Sequence, residues 1–303
     1  MSVRKDLQVL IDASKDDPHR KNLSLNGIAR SMGVSEATIS QWMNNKYTGN
    51  NSRIEKKVRA YLSRYHERSI RPEKNLQFVD TRVSKKIFEI ARVCHLENEL
   101  GIVVGDSGIG KTRAANEYAL QNEDVIMIES DLTFTAKVLV SEIARKVGLS
   151  GIGGLHAIFE EVVEKLKDSN RLIIVDEAEH QPIRSIDILR RIGDRTGCGI
   201  LLVGLPQLLH RLRGLRGDYQ YIYNRIGIGA ILKPATEKDI ELLVKNEIPE
   251  ADGICKTFSE KADGSIRVLE KLLYRSRRMA MLNHCNINNK VIEKASEMLA
   301  FQS

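Results

Sequence analysis

The chain has 303 residues, 42% hydrophobic and 29% charged, a balance that excludes a disordered polymer and suits one large or two smaller globular domains. No apolar run approaches the roughly 20 residues of a membrane helix, and the N-terminus lacks the apolar core of a secretory signal. The four cysteines (Cys94, Cys198, Cys255, Cys285) form no C-x-x-C pair, which argues against a zinc site or a disulfide framework and for a reducing cytoplasm. The net charge of +7 is uneven: residues 1–74 hold 15 basic and 8 acidic side chains, so the other 229 residues carry 32 of each sign. Such asymmetry points to a basic module that meets a polyanion, joined to a neutral body.

In chain order, residues 1–65 read as a small all-helical domain. Val3, Leu7, Leu10 and Ile11 recur at helical spacing, and Asp16-Asp17-Pro18 ends that helix. Residues 25–45 hold two short helices broken at Gly33. Ala29 is small where they would cross, and Ser35 caps the second. This is helix-turn-helix spacing. Ser40 and Gln41 face outward on the helix expected to enter a DNA groove, and Lys46, Arg53, Lys56, Lys57 and Arg59 are the candidate phosphate contacts. No Arg lies between Met32 and Asn45, so the commonest guanine contact is absent from this helix and binding with little sequence preference is expected. A third helix covers about 52–65, and residues 66–77, with Pro72, read as a linker.

Residues 78–235 alternate helix and strand. Helices are expected at 81–96, 111–120, 135–147, 155–167 and 183–192, and strands at 102–104, 125–128, 172–175, 200–203 and 230–232. Short apolar strands alternating with helices imply a three-layer α/β domain on a parallel sheet. Residues 236–303 read as a helical lid, opened by a capping box at Thr236 to Asp239 and continued at 258–262, 266–281 and 291–301.

The chemistry lies in two motifs. Gly105-Asp106-Ser107-Gly108-Ile109-Gly110-Lys111-Thr112 fits G-x-x-x-x-G-K-[ST] between an apolar strand and a helix. There the glycines let backbone N–H groups point at phosphate oxygens, and the helix N-terminus adds its positive dipole. Lys111 is the candidate for bridging the β- and γ-phosphates of ATP, and Thr112 for holding Mg2+. Leu172-Ile173-Ile174-Val175-Asp176-Glu177 is an apolar strand ending in two carboxylates, expected on a strand neighbouring the first. Asp176 suits the metal and Glu177 the attacking water. No N-K-x-D motif for guanine is present.

The two ATP motifs, the helix-turn-helix closing near Asn45-Lys46-Tyr47-x-Gly49, the Phe78-Val79-Asp80-Thr81 entry and the helical lid together resemble the AAA+ ATPases of transposition of Mu-like transposable bacteriophages. The likeness covers almost the whole chain. It implies a P-loop AAA+ fold, ATP-dependent helical filaments on double-stranded DNA, and presentation of that DNA to a transposase that triggers hydrolysis. It also implies ATP between protomers, with Arg225 as a neighbour's arginine finger and Arg267, in Gly264-Ser265-Ile266-Arg267, reading the γ-phosphate. The chain departs from the family just past the fourth strand. Leu205-Pro206-Gln207 stands where a polar residue helps to position water, so slow intrinsic hydrolysis raised by DNA or transposase is expected. Arg211, Arg213 and Arg216, read as a loop, and Lys271, Arg275, Arg277 and Arg278, on a lid helix, are further candidate DNA or transposase contacts. A helicase loader and a DNA-binding regulator that uses ATP as a switch are the competing readings.

Overall fold

The computed structural model describes residues 3–13, 24–69, 76–214 and 219–299. The chain divides into two compact units, Met1–Pro72 and Glu73–Ser303. Asp16 to Pro18, Pro72, Arg216 and Phe301 lie outside the described residues.

The first unit is all-helical: α1 (Val3–Ala13), α2 (Leu25–Ser31), α3 (Glu36–Met43) and α4 (Asn51–Ser69). Ser24 and Ser35 cap α2 and α3 by accepting the N–H of Gly27 and of Thr38, which satisfies donors that have no partner inside the helix. The core is Leu7, Ile28, Ala29, Ile39, Trp42 and Val58 with their neighbours. Helix α4 runs to Ser69, four residues beyond its expected end at residue 65.

The second unit is built on five parallel strands: β1 (Leu100–Gly105), β2 (Val125–Glu129), β3 (Leu172–Asp176), β4 (Gly199–Gly204) and β5 (Ile226–Leu232), in the order β2-β3-β4-β1-β5. The strand that ends in Asp176 is therefore not beside β1, contrary to expectation; β4 lies between them. Alternation along each strand separates two cores. Ile102 and Val104, Ile173 and Val175, Ile200 and Leu202 face one side; Val103, Leu172, Ile174, Leu201 and Val203 face the other. Helices α5 (Arg82–Glu97) and α6 (Lys111–Gln121) cover the second face. Helices α7 (Ala136–Lys146), α8 (Leu155–Leu166) and α9 (Ile183–Thr196) cover the first.

Two short helices, α10 (Pro206–Arg213) and α11 (Gln220–Tyr223), follow β4 where a loop is expected. Pro206 occupies the first helical turn, a position it favours, and Leu208 and Leu212 anchor α10 in the core. Strand β5 begins four residues earlier than expected, because Gly227 and Gly229 dilute its apolar run. The lid comprises α12 (Glu237–Glu247), α13 (Cys255–Ala262), α14 (Ile266–Leu282) and α15 (Asn289–Glu297). The capping box forms at Thr236 and Asp239. Asp239 also accepts the Arg82 N–H at 2.9 Å and its Nε at 3.2 Å, which ties the lid to the start of α5. Leu76, inside the expected linker, is buried in the lid core.

Candidate functional site

Strands β1, β3 and β4 all end at one cleft of about 210 Å3, the edge at which open α/β sheets bind ligands. The loop from Gly105 to Gly110 turns through positive φ at Gly108 (82°) and Gly110 (96°), a region closed to most side chains. That turn delivers Lys111 and Thr112 to the first turn of α6, where unpaired N–H groups and the helix dipole favour an anion. Lys111 is 9% exposed, and its Nζ donates to the carbonyls of Gly105 (2.7 Å) and Asp106 (2.8 Å). Burial lowers the Lys111 pKa below the ordinary lysine value, against the opposing charges of Asp176, Glu179 and Asp106.

Across the cleft, Asp176 is 1% exposed. Burial raises its carboxyl above the ordinary range, opposed by hydrogen bonds from Thr112 and the Glu177 N–H. Its Oδ2 is buried without a hydrogen-bond partner. A buried carboxylate oxygen with no partner, next to a threonine hydroxyl at a helix N-terminus, fits a hard cation such as Mg2+. The expected pair of metal ligands, Thr112 and Asp176, is therefore brought together. Glu177 lines the same cleft with its side chain 47% exposed, its backbone at φ 51°, and Oε2 3.6 Å from His180 Nε2.

The lid completes the wall. Arg267 Nη1 donates to Ser107 Oγ at 3.0 Å, and the Arg267 N–H donates to the Gly108 carbonyl at 3.1 Å. Ser107, Gly108 and Gly110 line the cleft; Gly105, Asp106 and Ile109 do not. Gly105 and Asp106 contribute carbonyls to Lys111, and Ile109 is buried in the core, so any contact it makes is through its main chain. Arg225 is exposed and precedes β5. Leu100 pairs with Ile226 and Gly105 with Leu232, so Arg225 sits at the far end of that strand from its own cleft, roughly 20 Å away at about 3.3 Å per residue.

The sequence did not single out Glu179, Glu270 or Arg113, which also line the cleft. Gln207 is exposed and outside it, whereas Leu205 is on its wall. A small recess beside α6 is bounded by Phe78, Val79, Ala114, Leu243 and Ile266.

Several basic candidates have structural partners instead. Lys57 Nζ donates to the carbonyls of Met32 (2.9 Å) and Gly33 (3.3 Å), which closes the end of α2. Arg59 pairs with Glu55 at 2.7 Å. Arg211 is on α10, not in a loop, and its guanidinium holds the carbonyls of Glu179 and Gln181. Arg213 stacks over Tyr223. On α14, Arg277 pairs with Glu247 at 2.8 Å and Arg275 holds the Met298 carbonyl. Gln41, Lys46, Arg53 and Lys56 are exposed, and Ser40 is half-buried. No described helix is long and apolar enough to cross a membrane.

Residues 95–212 match the AAA domain family. The chain is 26% identical to the Mu-like prophage FluMu DNA transposition protein B of Haemophilus influenzae, over 80% of this chain and 87% of that one. It is also 26% identical to the ATP-dependent target DNA activator B of Escherichia phage Mu, over 85% and 80%. Among solved structures, the Aeropyrum pernix ORC2 protein superposes with a TM-score of 0.60 at 17% identity, over 76% of this chain and 72% of that one, a likeness of fold alone. The chain thus carries a P-loop AAA domain and resembles, over most of its length, the transposition B proteins of Mu-like elements.

Proposed function

We propose that this protein binds and hydrolyses ATP with Mg2+, assembles on double-stranded DNA with little sequence preference, and delivers that DNA to a transposase which it activates. The observation that carries the reading is the convergence of Lys111, Thr112, Asp176, Glu177 and Arg267 on one cleft at the strand ends. Lys111 and the N–H groups of the loop bind the phosphates, and Thr112 and Asp176 hold Mg2+. Bound Mg2+ supplies positive charge against the phosphate oxygens. Glu177 orients the attacking water, and Arg267, already on Ser107, reads the terminal phosphate from the lid. Arg225, remote from its own cleft, serves that of a neighbouring copy in a helical filament.

The DNA part rests on the basic charge of residues 1–74 and on relatives named for target DNA and transposition. Lys46, Arg53 and Lys56 contact phosphates, and Ser40 and Gln41 face the groove. The test is electron microscopy of the protein on random-sequence duplex DNA. Continuous filaments that need both ATP and Mg2+ are expected. Closed rings would favour a helicase loader, and isolated particles at defined sequences a regulator; either would overturn the targeting reading.

A further inference from the structure

Four carboxylates line the cleft, Glu270 from the lid and three from the end of β3, and those three are held very differently. Asp176 is the buried metal candidate. Glu177 leaves its strand in a left-handed conformation and stands half-exposed beside His180. Glu179, two residues further on, is 7% exposed and turned inward. Its Oε2 accepts the Leu205 N–H at 3.1 Å. Its own carbonyl is held by Arg211, which also holds the Gln181 carbonyl at 2.9 Å. A Cβ on Gly204 would come within 2.3 Å of Glu179 Oε2, so the carboxylate occupies space that only glycine leaves open. Lys111 and Asp176 both feel its charge.

This fixing suggests more than packing. A buried carboxylate is costly unless paired, and one backbone N–H is a modest partner for a full charge. A carboxylate whose orientation is set from the β4 side and whose main chain is clamped by Arg211 is preorganised within the cleft. We propose that Glu179 is a second functional carboxylate of the site, accepting a hydrogen bond from the water that attacks the terminal phosphate. The role rests on the ATP-hydrolysis reading above. In the reaction the water oxygen forms the new P–O bond as the bridging P–O bond to ADP breaks. The proton lost from water passes through the carboxylate to solvent, and ADP and phosphate leave.

The discriminating variant is Glu179→Gln. Its amide oxygen still accepts the Leu205 N–H, so a purely structural glutamate is replaced with little effect, whereas a water-orienting carboxylate is not. The readouts are steady-state ATP hydrolysis, affinity for a fluorescent ATP analogue with and without Mg2+, and thermal unfolding, alongside the parent and Lys111→Ala. For Glu179→Gln, kcat is expected to fall about 100-fold, with KM and analogue affinity within about threefold of the parent. A kcat within about threefold of the parent overturns the proposal and leaves the hydrolysis reading intact. Turnover that Lys111→Ala leaves unchanged overturns both. Should Glu179→Gln fail to fold, Glu179→Asp carries the test. The same charge drawn back by one methylene is expected to lower kcat about tenfold at unchanged affinity, and a parent-like kcat overturns the proposal.

Discussion

In the cleft, Lys111, Asp176 and Glu179 are each 9% exposed or less and held by named neighbours, whereas in the N-terminal unit Lys46, Arg53 and Lys56 stand exposed. The difference separates two uses of charge. Chemistry on a phosphate needs charges fixed in a site that limits water, where each is felt strongly. Attraction to a polyanion needs many charges at the surface, each worth little and all weakened by salt. Substitutions in the first region are therefore expected to act as large single effects, and those in the second as small additive ones.

The largest effect is expected at Lys111. Lys111→Ala removes the cation at the phosphate loop and should abolish hydrolysis and weaken ATP binding at least 100-fold by fluorescent-analogue titration. Glu177→Gln should bind ATP normally, lose hydrolysis by about 100-fold or more, and remain trapped on DNA; normal turnover would remove Glu177 from the mechanism. Gly204→Ala sharpens the comparison inside the cleft. It displaces Glu179, so it should cost roughly 1–3 kcal/mol of stability by thermal unfolding and also lower turnover in the protein that remains folded. In the N-terminal unit, replacing Lys46, Arg53 and Lys56 by Ala should reduce the slope of log affinity against log salt by about 0.9 for each DNA phosphate that is no longer neutralised. Lys57→Ala should instead lower the unit's thermal stability, because Lys57 holds the end of α2. The smallest effect concerns the thiols. Burial pushes Cys94 up to about 12, so it should resist a thiol reagent at pH 8 while exposed Cys285 reacts; mass spectrometry of labelled peptides checks it.

The phosphate loop was legible in the sequence because its chemistry fixes both residue type and spacing, and the apolar strand before Asp176 marked its own end. The helices capped by Ser35, Thr81 and Thr236 were likewise visible from local signals. What depends on tertiary placement was not. Periodicity identifies β4 as a strand but cannot place it between β1 and β3. Helix α10 is short and rich in arginine, so it reads as a loop, although Pro206 at its start is a recognisable signal. Glu179 follows the strand motif with nothing to show that it turns inward; only its contact with Leu205 does that. Lys57 looks like any other lysine on α4 until the carbonyls of Met32 and Gly33 lie beside it.

The central claim is that occupation of the cleft by ATP controls binding to DNA. Its most direct test is fluorescence anisotropy of a labelled random-sequence duplex, titrated with the parent and with Lys111→Ala, in Mg2+ with and without ATP. Tight binding by the parent only with ATP, and weak ATP-independent binding by Lys111→Ala, is the expected result. Equal binding by both proteins with and without ATP would contradict the account, because the cleft and the basic unit would then work independently.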